Sequence, residues 1–388
     1  MGAIELGIYW CYIQNKINTY SNMKIISLFN NKGGVGKSTL AFHLSNILAE
    51  MGHKTLIIDL DPQCNLTICG MEEEVLHKIW SQEDSFIDDF DSSVKAMQPE
   101  EFTTFLESPK TIHFLLKPTE DGRGELPSTP PPVNLRENLD LIPGRLTIHQ
   151  YESKIAERWS GSYLGDSLSI RTITNIRSIA EEYSRIYDYE FVIIDTSPSL
   201  GALNKVIIST VDGFLIPALP DMFSMYGIKN IGNALKQWSK EFNTIYSLIS
   251  DEKRTKFPSN FVRFLGYTIY NAKKYTGITP WDLALAHYNY AQLIPAIIEA
   301  NISPEVRSHL SQGQASSPIG MTSVMHSHNT LPNMAQKYKH PIWQIPSLTN
   351  LDPSDKSTIF GNRAIYEGTK ERYIEFANSF LERINTLN

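Results

Sequence analysis

Residues 30–39 read Asn-Asn-Lys-Gly-Gly-Val-Gly-Lys-Ser-Thr, and they restrict what the surrounding chain can become. The apolar run 24–29 before them predicts a strand. Leu40, Leu44, Ile47, Leu48 and Met51 follow at the three- and four-residue spacing of one buried face, predicting a helix over about 38–51. Gly52 ends it, and 54–60 reads as a second strand. Strand, tight turn, helix and strand within about forty residues make a βαβ unit, which pairs two parallel strands by a right-handed crossover. Further apolar runs at 138–142, 191–195, 213–217, 264–271 and 341–346 read as strands, with helices at 168–187, before 213 and at 363–387. The fold class expected is α/β: a mostly parallel central sheet with helices on both faces.

The turn itself carries chemistry. Gly33, Gly34 and Gly36 permit backbone angles that aim successive N–H groups, with those of Val35 and Thr39, into one concavity at a helix N-terminus. Such a cradle takes phosphate. Lys37 would reach the β- and γ-phosphates and the Ser38 hydroxyl would ligate Mg²⁺. The generic Gly-x4-Gly-Lys-Ser pattern asks for glycine at position 31, where Asn31 stands, and a second lysine, Lys32, precedes the double glycine.

Lys32-Gly-Gly-Val-Gly-Lys-Ser-Thr39 resembles the deviant Walker A motif of the ParA/MinD ATPases, a P-loop family marked by that extra lysine. The resemblance implies an ATP- and Mg²⁺-dependent ATPase that forms a homodimer around two nucleotides, with Lys32 supplied in trans to the partner's phosphates. A cation inserted from each side offsets the repulsion between paired triphosphates. Two more segments continue the likeness. Asp59-Leu-Asp61-Pro-Gln-Cys-Asn65 resembles the family's first switch, which implies that Asp61 orients the attacking water while Asp59 supports Mg²⁺ through water. Phe191-Val-Ile-Ile-Asp195-Thr-Ser-Pro198 resembles the second, with Asp195 as the Walker B carboxylate and Ser197 in place of a proline. Asn271 stands at a strand end where the family often contacts adenine, and a plain turn residue is the other reading of it.

Composition limits the partners. The 35 lysines and arginines against 42 acidic residues give a formal charge of -7, so any nucleic-acid contact must come from a local patch. Residues 251–275 offer one: Lys253, Arg254, Lys256, Arg263, Lys273 and Lys274 against Asp251 and Glu252, with Lys337 and Lys339 as possible additions. Non-specific DNA is therefore a candidate partner, as is an activating protein. Cys11, Cys64 and Cys69 form no Cys-x-x-Cys pair, which excludes a disulfide scaffold and suits the cytoplasm. No membrane binding is expected: the run 6–13 is far short of the roughly 20 residues of a spanning helix. The last helix mixes Glu367, Glu371, Glu375 and Glu382 with its basic residues, so it is expected to pack on the body.

Residues 1–22 read as an extension and 23–388 as one ParA-like domain with insertions at about 71–135 and 276–339. Ten acidic residues against two lysines between 71 and 101, then the proline-rich run 126–132, suggest a solvated excursion at the sheet's rim. The function expected is an ATPase that dimerises on ATP and hydrolyses it slowly to position or segregate DNA or another cargo. The alternative is a nucleotide-gated subunit of a larger protein complex, in defence or surface assembly, that never touches DNA.

Overall fold

The computed structural model describes residues 23–387; the extension expected at 1–22 lies outside the described residues. Seven strands form one sheet: β1 Lys24–Leu28, β2 Thr55–Asp59, β3 Val133–Arg136, β4 Leu139–Ile142, β5 Phe191–Asp195, β6 Gly213–Ala218 and β7 Arg263–Ile269. Their order is β3-β4-β2-β5-β1-β6-β7, and every neighbouring pair is parallel except the edge pair β3–β4. The register sets Leu28 and Asp59 on either side of Asp195, so β1, β2 and β5 end level with one another. The loops leaving those ends meet at the place where parallel α/β sheets bind ligands.

The helices follow in chain order: α1 Lys37–Glu50, α2 Asn65–Gly70, α3 Glu73–Asp88, α4 Phe90–Lys95, α5 Pro99–Leu106, α6 Ile112–Glu120, α7 His149–Tyr163, α8 Ser167–Tyr187, α9 Ala202–Thr210 and α10 Met222–Leu248. Short helices α11 Asp251–Arg254, α12 Leu285–Ala291, α13 Ile294–Asn301, α14 Pro304–Arg307, α15 Gln312–Ser316, α16 Leu331–Tyr338 and α17 Pro353–Gly361 lead to α18 Arg363–Ile384. Alternate strand residues point to opposite faces. Ile25, Ile58, Ile194 and Phe214 join the core under α7–α10, while Ile26, Ile57, Ile193 and Leu215 meet α1 and α18. As expected, α18 packs on the body, burying Tyr373, Phe376, Phe380 and Ile384.

Three expectations are corrected. The segment 71–135 is not a solvated excursion. Phe86, Phe90, Phe102, Phe105 and Phe114 stack in its helices, with Phe86 and Phe105 centroids 4.7 Å apart, and all but Phe105 are fully part of the main core. Its acidic residues mostly line the outer faces of helices whose inner faces are aromatic, and the edge strand β3 ends it. Next, 341–346 is a 3₁₀ turn, Ile342–Ser347, not a strand. Pro341 and Pro346 have no N–H to give a ladder. The turn bonds to α1 instead, Trp343 Nε1 donating to Glu50 at 2.6 Å. Finally, the basic residues of 251–275 form no single patch. Lys253, Arg254 and Lys256 precede β7 and Lys273 and Lys274 follow it, so about 20 Å of strand separates them. Lys337 is paired with Asp355 and Lys339 with the Ile68 carbonyl.

Candidate functional site

The turn from β1 to α1 takes the shape its glycines allow. Gly34 and Gly36 have φ of 71° and 82°, in the left-handed region that a side chain disfavours. Gly36 is the N-cap of α1 and has no side-chain cap of its own. The free amides of the first turn therefore face the loop's concavity. Val35 is buried beneath it, while Gly33 and Gly34 are exposed, with Gly33 beside Pro198 of the loop after β5.

The two lysines of the loop are seated differently. Lys37 is buried, its ammonium donating to the Asn30 carbonyl at 3.1 Å and lying 3.5 Å from that of Lys32. Burial pushes its pKa down, opposed by the nearby carboxylates of Asp195 and Asp61. Lys32 sits at the rim, ion-paired with Asp221 and 5.8 Å from the Phe223 ring centroid. Asp221 is the N-cap of α10, accepting from the Ser224 N–H at 2.9 Å. Burial would raise its carboxyl, but Lys32 and Ser224 hold it below its ordinary value.

The carboxylates divide as clearly. Asp195 is fully buried, with the Ser38 hydroxyl and the Lys37 ammonium nearby. Burial first, and then its register neighbour Asp59, push its pKa up to about 8 against the pull of Ser38 and Lys37. A buried carboxylate is costly unless a cation meets it. Asp59 is engaged within the chain: Oδ2 accepts from the Thr67 N–H at 2.8 Å and its hydroxyl at 2.6 Å, and Oδ1 from the Asp61 N–H. Burial raises Asp59 to about 6 despite those bonds. Asp61, 5 % exposed, accepts from the Gln63 N–H with one oxygen, which orders the turn into α2.

The loop after β5 is tied down without the proline that Ser197 replaces. Asn204 Nδ2 donates to the carbonyls of Ser197 and Ser199, and the two serine hydroxyls lie 3.1 Å apart. Asn271 stands exposed at the end of β7 with φ 61°, a conformation asparagine tolerates better than most residues.

The residues present fit Mg²⁺ carried in with a nucleotide rather than a resident metal. Among the described residues no group of three or more His, Cys, Asp or Glu could hold a metal alone. Mg²⁺ in phosphate sites takes one or two protein groups and fills its sphere with phosphate oxygens and water. Ser38 and the buried Asp195 would supply the protein groups. Two neighbours of the site escape sequence reasoning. Asp221 carries only the local mark of an N-cap, Asp-x-x-Ser, and Tyr270, packed on Gly36, has no local mark at all.

Comparison with known proteins identifies the family and the fold. Residues 23–112 and 128–248 match the protein family described as an AAA domain. An uncharacterised protein of Methanocaldococcus jannaschii is 31% identical over 211 residues, 53% of this chain and 63% of its own length. The sporulation initiation inhibitor Soj of Bacillus subtilis is 26% identical over 57% of this chain and 68% of its own. A probable plasmid-partitioning ParA of Thermus thermophilus is 26% identical over 70% of this chain and 65% of its own. The chain thus spans less than two thirds of the Methanocaldococcus and Thermus proteins. Among solved structures, a protein of Corynebacterium diphtheriae superposes with TM-score 0.61 at 23% identity, covering 83% of this chain and 98% of that one. The ParA of pNOB8 superposes with TM-score 0.53 at 17% identity, covering 94% and 99%. The chain belongs to this AAA-domain family, within the ParA-like P-loop ATPase family.

Proposed function

We propose that this ParA-like family member binds Mg²⁺–ATP at the 33–39 loop, dimerises on it, and hydrolyses it slowly to position DNA or another cargo in the cytoplasm. The observation that carries the reading is the unequal seating of two lysines on one loop. Lys37 is buried where it can serve its own nucleotide. Lys32 is held at the rim by a single carboxylate, a position from which it can be handed to a neighbour's phosphates. Asp195 and Ser38 would hold Mg²⁺, which would supply charge neutralisation at the phosphates. Asp61 has an oxygen left over to orient water, while Asp59 acts through Thr67 to hold the turn that presents Asp61. Asn271 is the proposed adenine contact.

Lys32 lies by the Phe223 ring, and Met222, Phe223 and Tyr226 of the same helix are exposed, which suits a face that a second copy covers. From there α10 runs for about 40 Å. Its exposed Lys229, Lys236 and Lys240 fall within about 40° of one another around the helix, and among the described residues none of them is in an ion pair. This stripe, rather than 251–275, is the proposed contact for a DNA backbone. The contrasting reading, a nucleotide-gated subunit that binds only protein, is favoured by the outward acidic faces of α3–α5.

The test is sedimentation with and without Mg²⁺–ATP, alongside phosphate release. ATP should convert monomer to dimer, and Lys32→Ala should keep nucleotide binding while abolishing the dimer. An unchanged dimer in that variant removes Lys32 from the mechanism, and undiminished ATP binding in Lys37→Ala removes the loop. DNA retention by the ATP dimer, lost at high salt, separates the cargo-positioning reading from the protein-only one.

A further inference from the structure

We infer that Tyr270 is a positioning residue for the phosphate loop, held in place by Tyr373 of the C-terminal helix α18. The inference rests on the nucleotide-site reading above and adds to it a control of how firmly nucleotide is retained.

The contact begins at Gly36. A Cβ on this residue would lie 2.5 Å from Cε1 and 2.6 Å from Cδ1 of Tyr270, so the ring is packed directly on the loop's backbone. Tyr270 follows β7, is 4 % exposed, and is fixed at its backbone by the Ala218 carbonyl at 3.0 Å. Its hydroxyl lies 2.8 Å from that of Tyr373, which is fully buried on α18. One of these buried hydroxyls donates to the other, so removing either leaves its partner without that bond.

Tyr373 also reaches the other side of the loop. Its ring stacks on His43 of α1, with centroids 5.1 Å apart and 23° between planes. His43 sits one turn beyond the loop: Nδ1 lies 2.7 Å from the Thr39 carbonyl, and Nε2 lies 3.3 Å from the Ile342 N–H. Those two bonds require the neutral ring with its proton on Nδ1, and burial, which pushes His43 down to about 3, keeps it so. His328, from the 276–339 segment, also stacks on Tyr373, with centroids 5.8 Å apart. One tyrosine of the last helix therefore braces Gly36 through Tyr270 and Thr39 through His43. Both braced residues belong to the loop that would cradle phosphate, and neither bears a group that breaks a bond. The device acts on retention of nucleotide rather than on chemistry.

The experiment measures Mg²⁺–ATP affinity and dissociation with a fluorescent ATP analogue, together with kcat, in the full chain. Tyr270→Ala should raise the dissociation rate by about tenfold while kcat at saturation stays within about threefold. Tyr373→Phe and Tyr270→Phe keep both rings and should each loosen binding by a smaller factor. Combining them should recover affinity relative to the product of the single effects, because no orphaned hydroxyl remains. These two isosteric variants decide the matter if Tyr270→Ala does not fold. Wild-type dissociation rates in all three, or a fall in kcat matching the fall in affinity, overturn the inference alone. Failure of the unaltered chain to bind Mg²⁺–ATP overturns the nucleotide-site reading and this inference with it.

Discussion

Asp221→Asn should make the ATP-dependent dimer tighter, although it removes a favourable contact. In the free chain Lys32 is paired with Asp221, their side chains 21 % and 27 % exposed. If Lys32 must leave that carboxylate to reach a partner's phosphates, each protomer loses its pair on association. A pair this close to solvent contributes about 0.5–1 kcal/mol after screening. Symmetry doubles the amount, because two pairs break per dimer, so the substitution should favour association by about 1–2 kcal/mol. At about 1.4 kcal/mol per factor of ten, the dimer dissociation constant falls roughly 5- to 30-fold. Asparagine caps a helix as well as aspartate does, so the bond to Ser224 survives and the change isolates the charge. The assay is analytical ultracentrifugation with Mg²⁺–ATP in an Asp61→Ala background, which should suppress turnover if Asp61 has the role proposed for it. Adding Lys32→Ala should abolish the dimer in this background as well, so that no gain remains. A dimer equally tight or weaker in Asp221→Asn, or a gain that persists without Lys32, would refute the reasoning.

Other perturbations address the carboxylates, the 71–135 segment and the basic stripe. Asp195 titrates near 4 when unfolded and about 8 when folded, so it destabilises the free protein increasingly as pH rises between those values. Asp195→Asn should accordingly be more stable than wild type at pH 8 by a few kcal/mol at most, an advantage that shrinks toward pH 4, while losing stabilisation by Mg²⁺–ATP. Urea midpoints across that range check it, and a pH-independent difference would contradict the assignment. Phe114→Ala removes a fully buried ring from the α3–α6 cluster and should cost about 3–5 kcal/mol in urea unfolding, where a solvated excursion would show almost none. Lys236→Glu with Lys240→Glu should weaken DNA retention and flatten its salt dependence without altering ATP-driven dimerisation; retention at the wild-type level would clear α10 of the role.

Much of this was legible because it is local. The loop's glycines and lysines are consecutive, the helix after it repeats at helical spacing, and β5 is four apolar residues ending in Asp195. Each signal lies within a window shorter than one element, where backbone angles and burial are decided by neighbours in the chain. The misreadings came from the same locality. Acidic residues on the outer faces of α3–α5 masked aromatic residues on the inner faces, and the apolar run at 341–346 suggested a strand although its flanking prolines forbid a ladder. Charge counting joined Lys256 to Lys273 across a strand that holds them apart.

Sequence alone therefore settles that the chain builds a glycine-rich turn between a parallel strand and a helix, because glycine conformations, helix dipole and strand periodicity are short-range physics. It could not reveal that Lys32 rests on Asp221, 189 residues away, or that Tyr270 and Tyr373 brace Gly36 and Thr39 from β7 and the last helix. Those contacts depend on which strand lies beside which and on the level at which each ends. Sheet order and packing decide that, and no local pattern encodes it.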